Sequence, residues 1–222
     1  MNIETVENVT RITPLQSSFN DISPESIEHC IRIAKFNAMN KMLYNNCCNA
    51  SCAICNNSVS KCISNGSYNA STMFVDAFPS EYESYTGAFT DEKGYLLEEA
   101  LKGTSINRSD IYCTTLIKCF NIQDTNEGII NNCLLNYFYK ELDLIKPKRI
   151  IFTYSAFQAS LKYKVIPYTG NINYFTKVHT HFKSISLHSD IETDIFIVYD
   201  IKSLTEQQRE AFKQGIQFIL QQ

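Results

Sequence analysis

Three short apolar segments, each followed by a loop and a helical pattern, place the strongest constraint on the fold of this chain. Strands that alternate with helices are typical of a parallel sheet covered by helices on both faces. We therefore predict an α/β fold, a three-layer α/β/α sandwich around a central, mostly parallel sheet of four to five strands. Ligands of such folds bind at the carboxyl ends of the strands. The strands are predicted at Met73–Val75, Ile111–Ile117 and Arg149–Thr153, and the helices at about Leu96–Leu101, Gly128–Leu144 and Ala156–Lys162.

The rest of the chain adds elements to this sheet and gives no sign of a second domain. Ser23 is a good helix N-cap, and Pro24 suits the first helical position, so a first helix is predicted to about Tyr44. At 222 residues we expect one domain over residues 21–222, preceded by a polar arm at residues 1–20. The last predicted elements are strands at Phe175–His179 and Ile195–Tyr199 and a helix at about Thr205–Leu220.

Composition excludes several classes of protein. A formal net charge of −3 argues against a protein that coats nucleic acid non-specifically, because such binding requires many cations to neutralise phosphates. No apolar run approaches the roughly 20 residues that span a bilayer, and the N-terminus lacks the layout of a signal peptide. We expect a monomer that does not bind membranes and is cytoplasmic, or nuclear in a eukaryote.

The chain has nine cysteines, and in a reducing compartment they are more suited to metal binding than to disulfides. Cys52 and Cys55 have the spacing of neighbouring thiolate ligands, within a Cys-rich loop at about residues 45–70 that has no periodicity of its own. Cys119 and Cys133 are placed to complete four ligands. Four thiolates suit a 4Fe-4S cluster or zinc. Cys48 or Cys62 is an alternative for one loop ligand, and Cys113 is expected to be a core residue.

The segment at residues 73–101, MFVDAFPSEYESYTGAFTDEKGYLLEEAL, resembles the first motif region of the iron-sulfur, family 4 uracil-DNA glycosylases. That region has Gly-Glu-Ala-Pro-Gly after a strand, an acidic cluster, Thr-Gly, a Phe and Gly-x-Leu-Leu. The segment at residues 110–119, DIYCTTLIKC, is similar to the Asp-Val-Tyr-Ile-Thr-Asn-Val-Val-Lys-Cys of the family. The resemblance implies the fold of that superfamily. Because four cysteines hold a 4Fe-4S cluster in the family, it also favours that cluster over zinc at Cys52, Cys55, Cys119 and Cys133.

The chain departs from the family where catalysis is expected. The position of the family's acid is Ala77, and the flanking glycines are Asp76 and Ser80. The asparagine that binds the uracil edge corresponds to Thr115, which offers one hydroxyl where the amide offers two contacts. The closing His-Pro-Ser motif corresponds loosely to residues 200–204, or, in a less favoured alignment, to residues 178–181.

Excision of a base requires that it leave the stack and that an oxocarbenium-like sugar and a departing base anion be stabilised. Asp76, one residue from the missing acid, is the first candidate for the carboxylate beside the sugar, and its alternative role is to cap the loop. Glu81 and Glu83 in the same loop are alternative sources of the carboxylate, but we expect them to be solvated charges. Further candidates are Asp200 as a second carboxylate and His179 or His181 as a donor to the leaving base.

Base contacts and DNA contacts are assigned by the same resemblance. Phe89 matches the phenylalanine that stacks on the extruded base, Phe78 adds aromatic surface nearby, and Thr115 faces the base edge. Lys202 and Ser203 correspond to positions that meet DNA phosphates.

These residues support a DNA glycosylase that flips out and hydrolyses a modified pyrimidine from DNA rather than plain uracil, and a bulky base of the kind found in phage DNA is one such substrate. One alternative is a catalytically silent protein of the same fold that binds nucleic acid or a protein partner. A second is an ordinary uracil-DNA glycosylase with a displaced acid, against which Thr115 argues.

Overall fold

Short buried strands form the centre of the molecule. The structure is a computed structural model that describes residues 23–44, 61–120, 130–131, 133–166, 173–175, 177–183, 190–202 and 204–222. The described strands form one six-stranded sheet in the order β1-β3-β2-β4-β6-β5, in which the four central strands run parallel and the two edge strands antiparallel. Their bounds are β1 Asn65–Gly66, β2 Thr72–Asp76, β3 Ile111–Thr115, β4 Arg149–Thr153, β5 Val178–Lys183 and β6 Asp190–Val198.

Helices cover both faces of this sheet, which confirms the predicted three-layer α/β/α sandwich. The sheet has six strands and not the predicted four to five, because the two-residue edge strand β1 has no sequence pattern. Side chains alternate along the central strands, so that Met73 and Val75 of β2 enter one core and Phe74 enters the other. The helices are α1 Pro24–Tyr44, α2 Glu81–Thr86, α3 Glu92–Leu101, α4 Tyr139–Ile145, α5 Tyr154–Lys162 and α6 Glu206–Gln221. The first core contacts α1, α4 and α5, whereas the second contacts α3 and α6.

Most predicted elements are present, with shifted ends. The predicted strand at 149–153 has the observed bounds, and α1 begins at Pro24 as its cap predicts. The strand predicted at 175–179 is wrong in its first half, because Phe175 has a φ of 62° and lies in a turn. The helix predicted at 128–144 is described at Ile130, and it includes a π-helical turn at Leu134–Phe138 before α4.

Several predicted features lie outside the described residues. These are the polar arm at residues 1–20 and most of the Cys-rich loop, namely residues 45–60 with Cys48, Cys52 and Cys55. In the residues that the structure describes, no helix has the length and apolar character needed to cross a membrane.

Candidate functional site

The carboxyl ends of three parallel strands bring three polar side chains side by side. Asp76 ends β2, Thr115 ends β3 and lies level with Asp76, and Thr153 ends β4. The backbone N–H of Leu116 donates to the carbonyl of Asp76 at 2.8 Å, which extends the pairing of β2 with β3 beyond the strand ends. Asp76 therefore lies at the edge of the sheet where the sequence predicts a ligand site.

Asp76 is a buried residue, and its carboxylate accepts three hydrogen bonds. Its Oδ1 accepts from the Ala77 N–H at 2.8 Å and from the Thr153 hydroxyl at 2.7 Å, and its Oδ2 accepts from Lys93 Nζ at 2.6 Å. These three donors fix the orientation of the Asp76 carboxylate at the end of the strand.

Lys93 joins Asp76 to a second buried acid, Glu83. Lys93 Nζ lies 2.5 Å from Glu83 Oε2, which also accepts from the Ser80 N–H at 2.7 Å, while Glu83 Oε1 accepts from the Phe89 N–H at 2.7 Å. Glu83 is completely buried, so the expectation that it is a solvated charge is wrong. Its carboxylate is instead retained inside the loop because two backbone N–H groups and an ammonium compensate its lost hydration.

The local sequence explains how this acid is placed. Ser80 caps α2, its Oγ accepts from the Glu83 N–H, and the Glu83 carboxylate returns to the Ser80 N–H, which together form a capping box. Lys93 lies in the first turn of α3, which Asp91 caps by accepting from the Lys93 N–H at 3.0 Å. Two adjacent helix starts therefore direct Glu83 and Lys93 toward the end of β2.

The charge of Lys93 is maintained by its two acids. Burial alone lowers the pKa of the ammonium, but the charges of Asp76 and Glu83 and the hydrogen bonds to both outweigh burial, so the pKa lies above its ordinary value. Lys93 is therefore a cation, and two of its three N–H groups point to carboxylates.

A cleft of about 520 Å³ opens beside Asp76 and Lys93, within the size range of small-molecule sites. Among the predicted site residues, Phe78, Asp200 and Lys202 also lie on its wall, and the Phe78 side chain is 39% exposed. Ser203 lies outside the described residues. The structure thus brings two predicted acids, one predicted aromatic and one predicted DNA-contacting lysine to a single cleft.

Asp200 is tied to the start of α5. Its Oδ1 accepts from the Ser155 N–H and from the Ser155 hydroxyl, both at 2.8 Å. An anion at the N-terminal turn of a helix is favoured by the helix dipole. Asp76 and Asp200 both line the cleft, but Asp200 is partly exposed whereas Asp76 is buried.

Two predicted base-contacting residues do not line this cleft. Phe89 is 2% exposed and packs edge-on against Phe74 in the second core, with ring centroids 6.1 Å apart. Thr115 is fully buried. Among the described residues its hydroxyl has no hydrogen-bond partner of ordinary geometry, and the Cys62 thiol is a neighbour of that hydroxyl. Phe78 is therefore the aromatic side chain that the cleft offers to a ligand.

His179 lies at the other end of the sheet from Asp76. It pairs with Asp194, which is level with Arg149 at the beginning of β4, and its Nδ1 lies 3.1 Å from Asp194 Oδ1. The structure does not bring this imidazole to the cleft, because β5 is the edge strand and its register places His179 level with the beginnings of β4 and β2. The side chain of His181 lies outside the described part of the chain.

The described cysteines separate by sheet face. Cys119 and Cys133 are buried in the first core together with Leu43 near the end of α1, whereas Cys62 and Cys113 are buried in the second core. Burial raises the pKa of each of the latter thiols to about 12. The Cys62 side chain thus enters the opposite core from Cys119, although the Cys62 N–H donates to the carbonyl of Lys118 at 2.7 Å.

The described chain resumes beside Cys119 after the segment at residues 45–60, because Lys61 forms a bridge with Cys119. Among the described residues no group of three or more His, Cys, Asp and Glu side chains is placed to hold a metal, and two of the four predicted ligands lie outside them. Cys119 and Cys133 lie in the same core, and their thiols are of the chemical type that ligates a metal cluster.

Sequence reasoning missed a second buried ion pair beneath β3. Lys118 Nζ donates to both oxygens of Glu141, at 2.8 and 2.9 Å, and to Ser64 Oγ at 2.9 Å. The hydroxyls of Thr114 and Tyr112 also donate to Glu141, at 2.7 and 3.0 Å. Burial and the neighbouring Glu141 raise the pKa of the Tyr112 phenol well above its usual range, so it remains a donor. This network joins the end of β3, next to Cys119, to α4.

Comparison with known proteins agrees with this arrangement. A sequence model of the uracil DNA glycosylase superfamily matches residues 63–220, well over half of the chain. The type-4 uracil-DNA glycosylase of Pyrobaculum aerophilum is 32% identical over 89 residues, which are 39% of this chain and 45% of that protein. The aligned segment thus spans less than half the length of this relative.

Proposed function

Because this chain belongs to the uracil DNA glycosylase superfamily, we propose that it is a DNA glycosylase that excises a modified pyrimidine by hydrolysis of the N-glycosidic bond. The single observation that carries the proposal is the carboxylate of Asp76, which hydrogen bonds hold in place on the wall of a cleft of about 520 Å³. The cleft is large enough to receive a base turned out of the DNA stack.

Asp76 is the proposed catalytic carboxylate. As the bond between the base and the sugar C1′ breaks, the base departs with the electron pair and C1′ gains positive charge, which the Asp76 carboxylate stabilises. Water then bonds to C1′ and releases a proton to the carboxylate, leaving an abasic site and the free base. Asp200, anchored by Ser155, is the second carboxylate available in the same cleft.

Lys93 is proposed to stabilise the departing base. Its ammonium lines the cleft and donates two N–H groups to Asp76 and Glu83. The third N–H group is left to donate to an anionic oxygen or nitrogen of the base. It takes the place first considered for His179, which lies at the other end of the sheet. Phe78 supplies the aromatic surface for the base, and Lys202 supplies a cation for a neighbouring phosphate.

Thr115 supports a substrate other than plain uracil. A threonine hydroxyl gives one hydrogen bond where a side-chain amide gives a donor and an acceptor together, and this hydroxyl is buried away from the cleft wall. Recognition of the complete uracil edge therefore lacks its usual partner. A base with a bulky substituent, of the kind found in phage DNA, relies on shape and stacking in the cleft instead.

A 4Fe-4S cluster held by Cys52, Cys55, Cys119 and Cys133 is part of the proposal. The burial of Cys119 and Cys133 in one core and the return of the chain at Lys61 support it, as does the type-4 relative. When bound, the cluster supplies a cross-link between the Cys-rich loop and the strand that ends beside Asp76. Zinc is the alternative for the same four thiolates.

A catalytically silent DNA-binding protein is the second candidate. The observation that favours it is the saturation of Asp76, whose carboxylate already accepts from Ala77, Thr153 and Lys93. A carboxylate so engaged has fewer lone pairs to offer to water. Under this alternative the cleft binds a base without breaking its bond.

The test is incubation of the purified holoprotein with DNAs that carry uracil, hydroxymethylated pyrimidines or glucosylated pyrimidines, followed by alkali to cut at abasic sites. We expect cleavage of one modified DNA and little cleavage of uracil DNA. Cleavage of uracil DNA alone would identify an ordinary uracil-DNA glycosylase. Binding without any cleavage would favour the catalytically silent DNA-binding protein.

A further inference from the structure

Three tyrosine side chains form a continuous aromatic surface at the rim of the cleft. The ring of Tyr174 lies 5.6 Å from that of Tyr154 and 4.2 Å from that of Tyr199, measured between centroids. Tyr154 and Tyr174 are 39% and 40% exposed. These three residues are called the tyrosine platform below. Exposed aromatic rings in mutual contact suggest a binding surface, because single exposed apolar groups are common but contiguous ones are not.

The tyrosine platform adjoins the cleft through the chain itself. Tyr154 precedes Ser155 and Tyr199 precedes Asp200, and these two neighbours line the cleft and hydrogen-bond to each other at 2.8 Å. Burial, and after it the neighbouring Tyr154 and Asp200, raise the pKa of the Tyr174 phenol. The Tyr174 phenol is therefore uncharged at neutral pH.

The backbone fixes the platform in place. The N–H of Phe175 donates to the carbonyl of Ile197 in β6 at 2.7 Å, although Phe175 has a φ of 62°, which bulky residues rarely adopt. The Phe175 ring packs edge-on against Tyr199, with centroids 5.6 Å apart. Tyr174 is thereby held over Tyr199.

We propose that the tyrosine platform stacks on an unpaired nucleobase of the DNA strand, adjacent to the nucleotide that enters the cleft. Aromatic rings stack on any base because every base has a π face, and each such contact contributes enough to matter for affinity. A phosphate is disfavoured at this position because the Asp200 carboxylate lies beside the rings. The platform thus selects single-stranded or locally opened DNA, and this inference rests on the proposed binding of DNA in the cleft.

The experiment measures binding and not excision. The probes are an unmodified single-stranded oligothymidylate that contains one 2-aminopurine and carries a fluorescent end label, and the duplex of the same length. Dissociation constants come from anisotropy, and stacking comes from quenching of 2-aminopurine emission. We expect the wild-type protein to bind the single strand more tightly and to quench the 2-aminopurine. Tyr174→Ala should weaken that binding by about fivefold to a hundredfold and lose the quenching.

Two variants make the result specific. Tyr174→Phe should retain both binding and quenching, because it keeps the ring. Tyr95→Ala on α3 removes a tyrosine that is more exposed and lies away from the platform, and it should change neither. Should Tyr174→Ala not fold, Tyr154→Ala provides the same test. Wild-type affinity and quenching in folded Tyr174→Ala and Tyr154→Ala proteins would overturn the inference, as would equal binding of the duplex.

The inference and the proposed activity fail in different ways. If the protein quenches 2-aminopurine through the platform but releases no base from any DNA, the stacking inference stands and the proposed glycosylase activity fails. If it excises a base but its DNA binding is insensitive to both tyrosine substitutions, the glycosylase activity stands and the stacking inference fails.

Discussion

Asp76 occupies the end of a buried strand, where its carboxylate is surrounded by hydrogen-bond donors in place of water. Lys93 and Glu83 complete a row of alternating charge in which every member is buried. Charges in such surroundings are tolerated only as a compensated set, because each removed partner leaves another charge without hydration. At the scale of the residue, the site therefore consists of Asp76 and the cation that maintains it.

Replacement of Lys93 should destabilise the protein. Lys93→Met leaves Glu83 fully buried without its ammonium, and we expect the free energy of unfolding in urea to fall by roughly 3–5 kcal/mol. Lys93→Met combined with Glu83→Gln should recover part of this loss, because the uncompensated charge is removed. Lys102→Met, at the exposed C-cap of the same helix, serves as control and should change little.

The loss should be independent of pH in the neutral range. The pKa of Lys93 is raised in the folded state, so its contribution is fully present below the ordinary value of 10.5 and is lost as the pH rises through the folded value. An unfolding free energy of Lys93→Met that matches the wild-type value near neutral pH would contradict the buried charge row.

The sequence predicted Asp76 because it follows a recognisable strand, but it did not predict Lys93. Asp76, Glu83 and Lys93 are brought together only by the start of α3 and the short helix α2, which carries no apolar period. The capping box of Ser80 and Glu83 is the signal that identifies this helix in the sequence. Phe89 was assigned to the base from its motif position, and its burial against Phe74 became evident only with the fold.

At the scale of the elements, the end of β3 is linked to α4 by the buried pair of Lys118 and Glu141. This pair joins the two parts of the chain that carry Cys119 and Cys133, and three hydroxyls satisfy the remaining lone pairs of the carboxylate. Well-satisfied buried pairs specify how elements dock, even where they add little net stability.

Removal of one member of this pair should cost more than removal of both. We expect Lys118→Met to lower the free energy of unfolding by roughly 3–5 kcal/mol, and Lys118→Met with Glu141→Leu to lower it by less, because the double variant buries no lone charge. Urea unfolding measures both. Lys148→Met, an exposed lysine before β4, is the matched control. Equal losses in the single and double variants would argue that the pair is not a compensated unit.

Elements with apolar runs were predictable, and elements at the sheet edge were not. The strand at 149–153 is buried on both faces and so appears as a continuous apolar run. The edge strand β5 contains polar residues such as His179 and Thr180, so its apolar pattern is weak. The predicted strand was therefore displaced toward Phe175. β1 has two residues and no pattern at all, and Gly66 is required there because a Cβ would lie 1.8 Å from the carbonyl oxygen of Ile111.

At the scale of the whole molecule, the parallel strands place Asp76, Thr153 and the cleft at one edge of the sheet, where their carboxyl ends meet. Cys119 follows the carboxyl end of β3 in the chain. If the proposed cluster forms at Cys119 and Cys133, it would connect the Cys-rich loop to the chain that follows β3. The superfamily match covers residues 63–220, whereas the sequence alignment predicts that the acid, the base-binding amide and the closing motif differ.

Loss of a cluster cysteine should release the cofactor. We expect anaerobically purified protein to contain about four iron and four sulfide per chain. Cys119→Ser and Cys133→Ser should lose most of the iron and sulfide, whereas Cys113→Ser, in the opposite core, should retain both. Iron and sulfide analysis with visible absorbance makes the measurement. Zinc in place of iron would select the alternative metal, and full iron content in the Cys119 and Cys133 variants would contradict the ligand assignment.

The central claim is that Asp76 assists the release of a base from DNA, and its most direct test is quantification of free base by mass spectrometry under single-turnover conditions. The wild-type protein should release one modified pyrimidine, and Asp76→Asn should release it about a hundredfold to ten-thousandfold more slowly with DNA binding retained. Asp200→Asn, in the same cleft, should cost less. Release at the wild-type rate by Asp76→Asn, or no free base from any DNA with folded wild-type protein, would contradict the account.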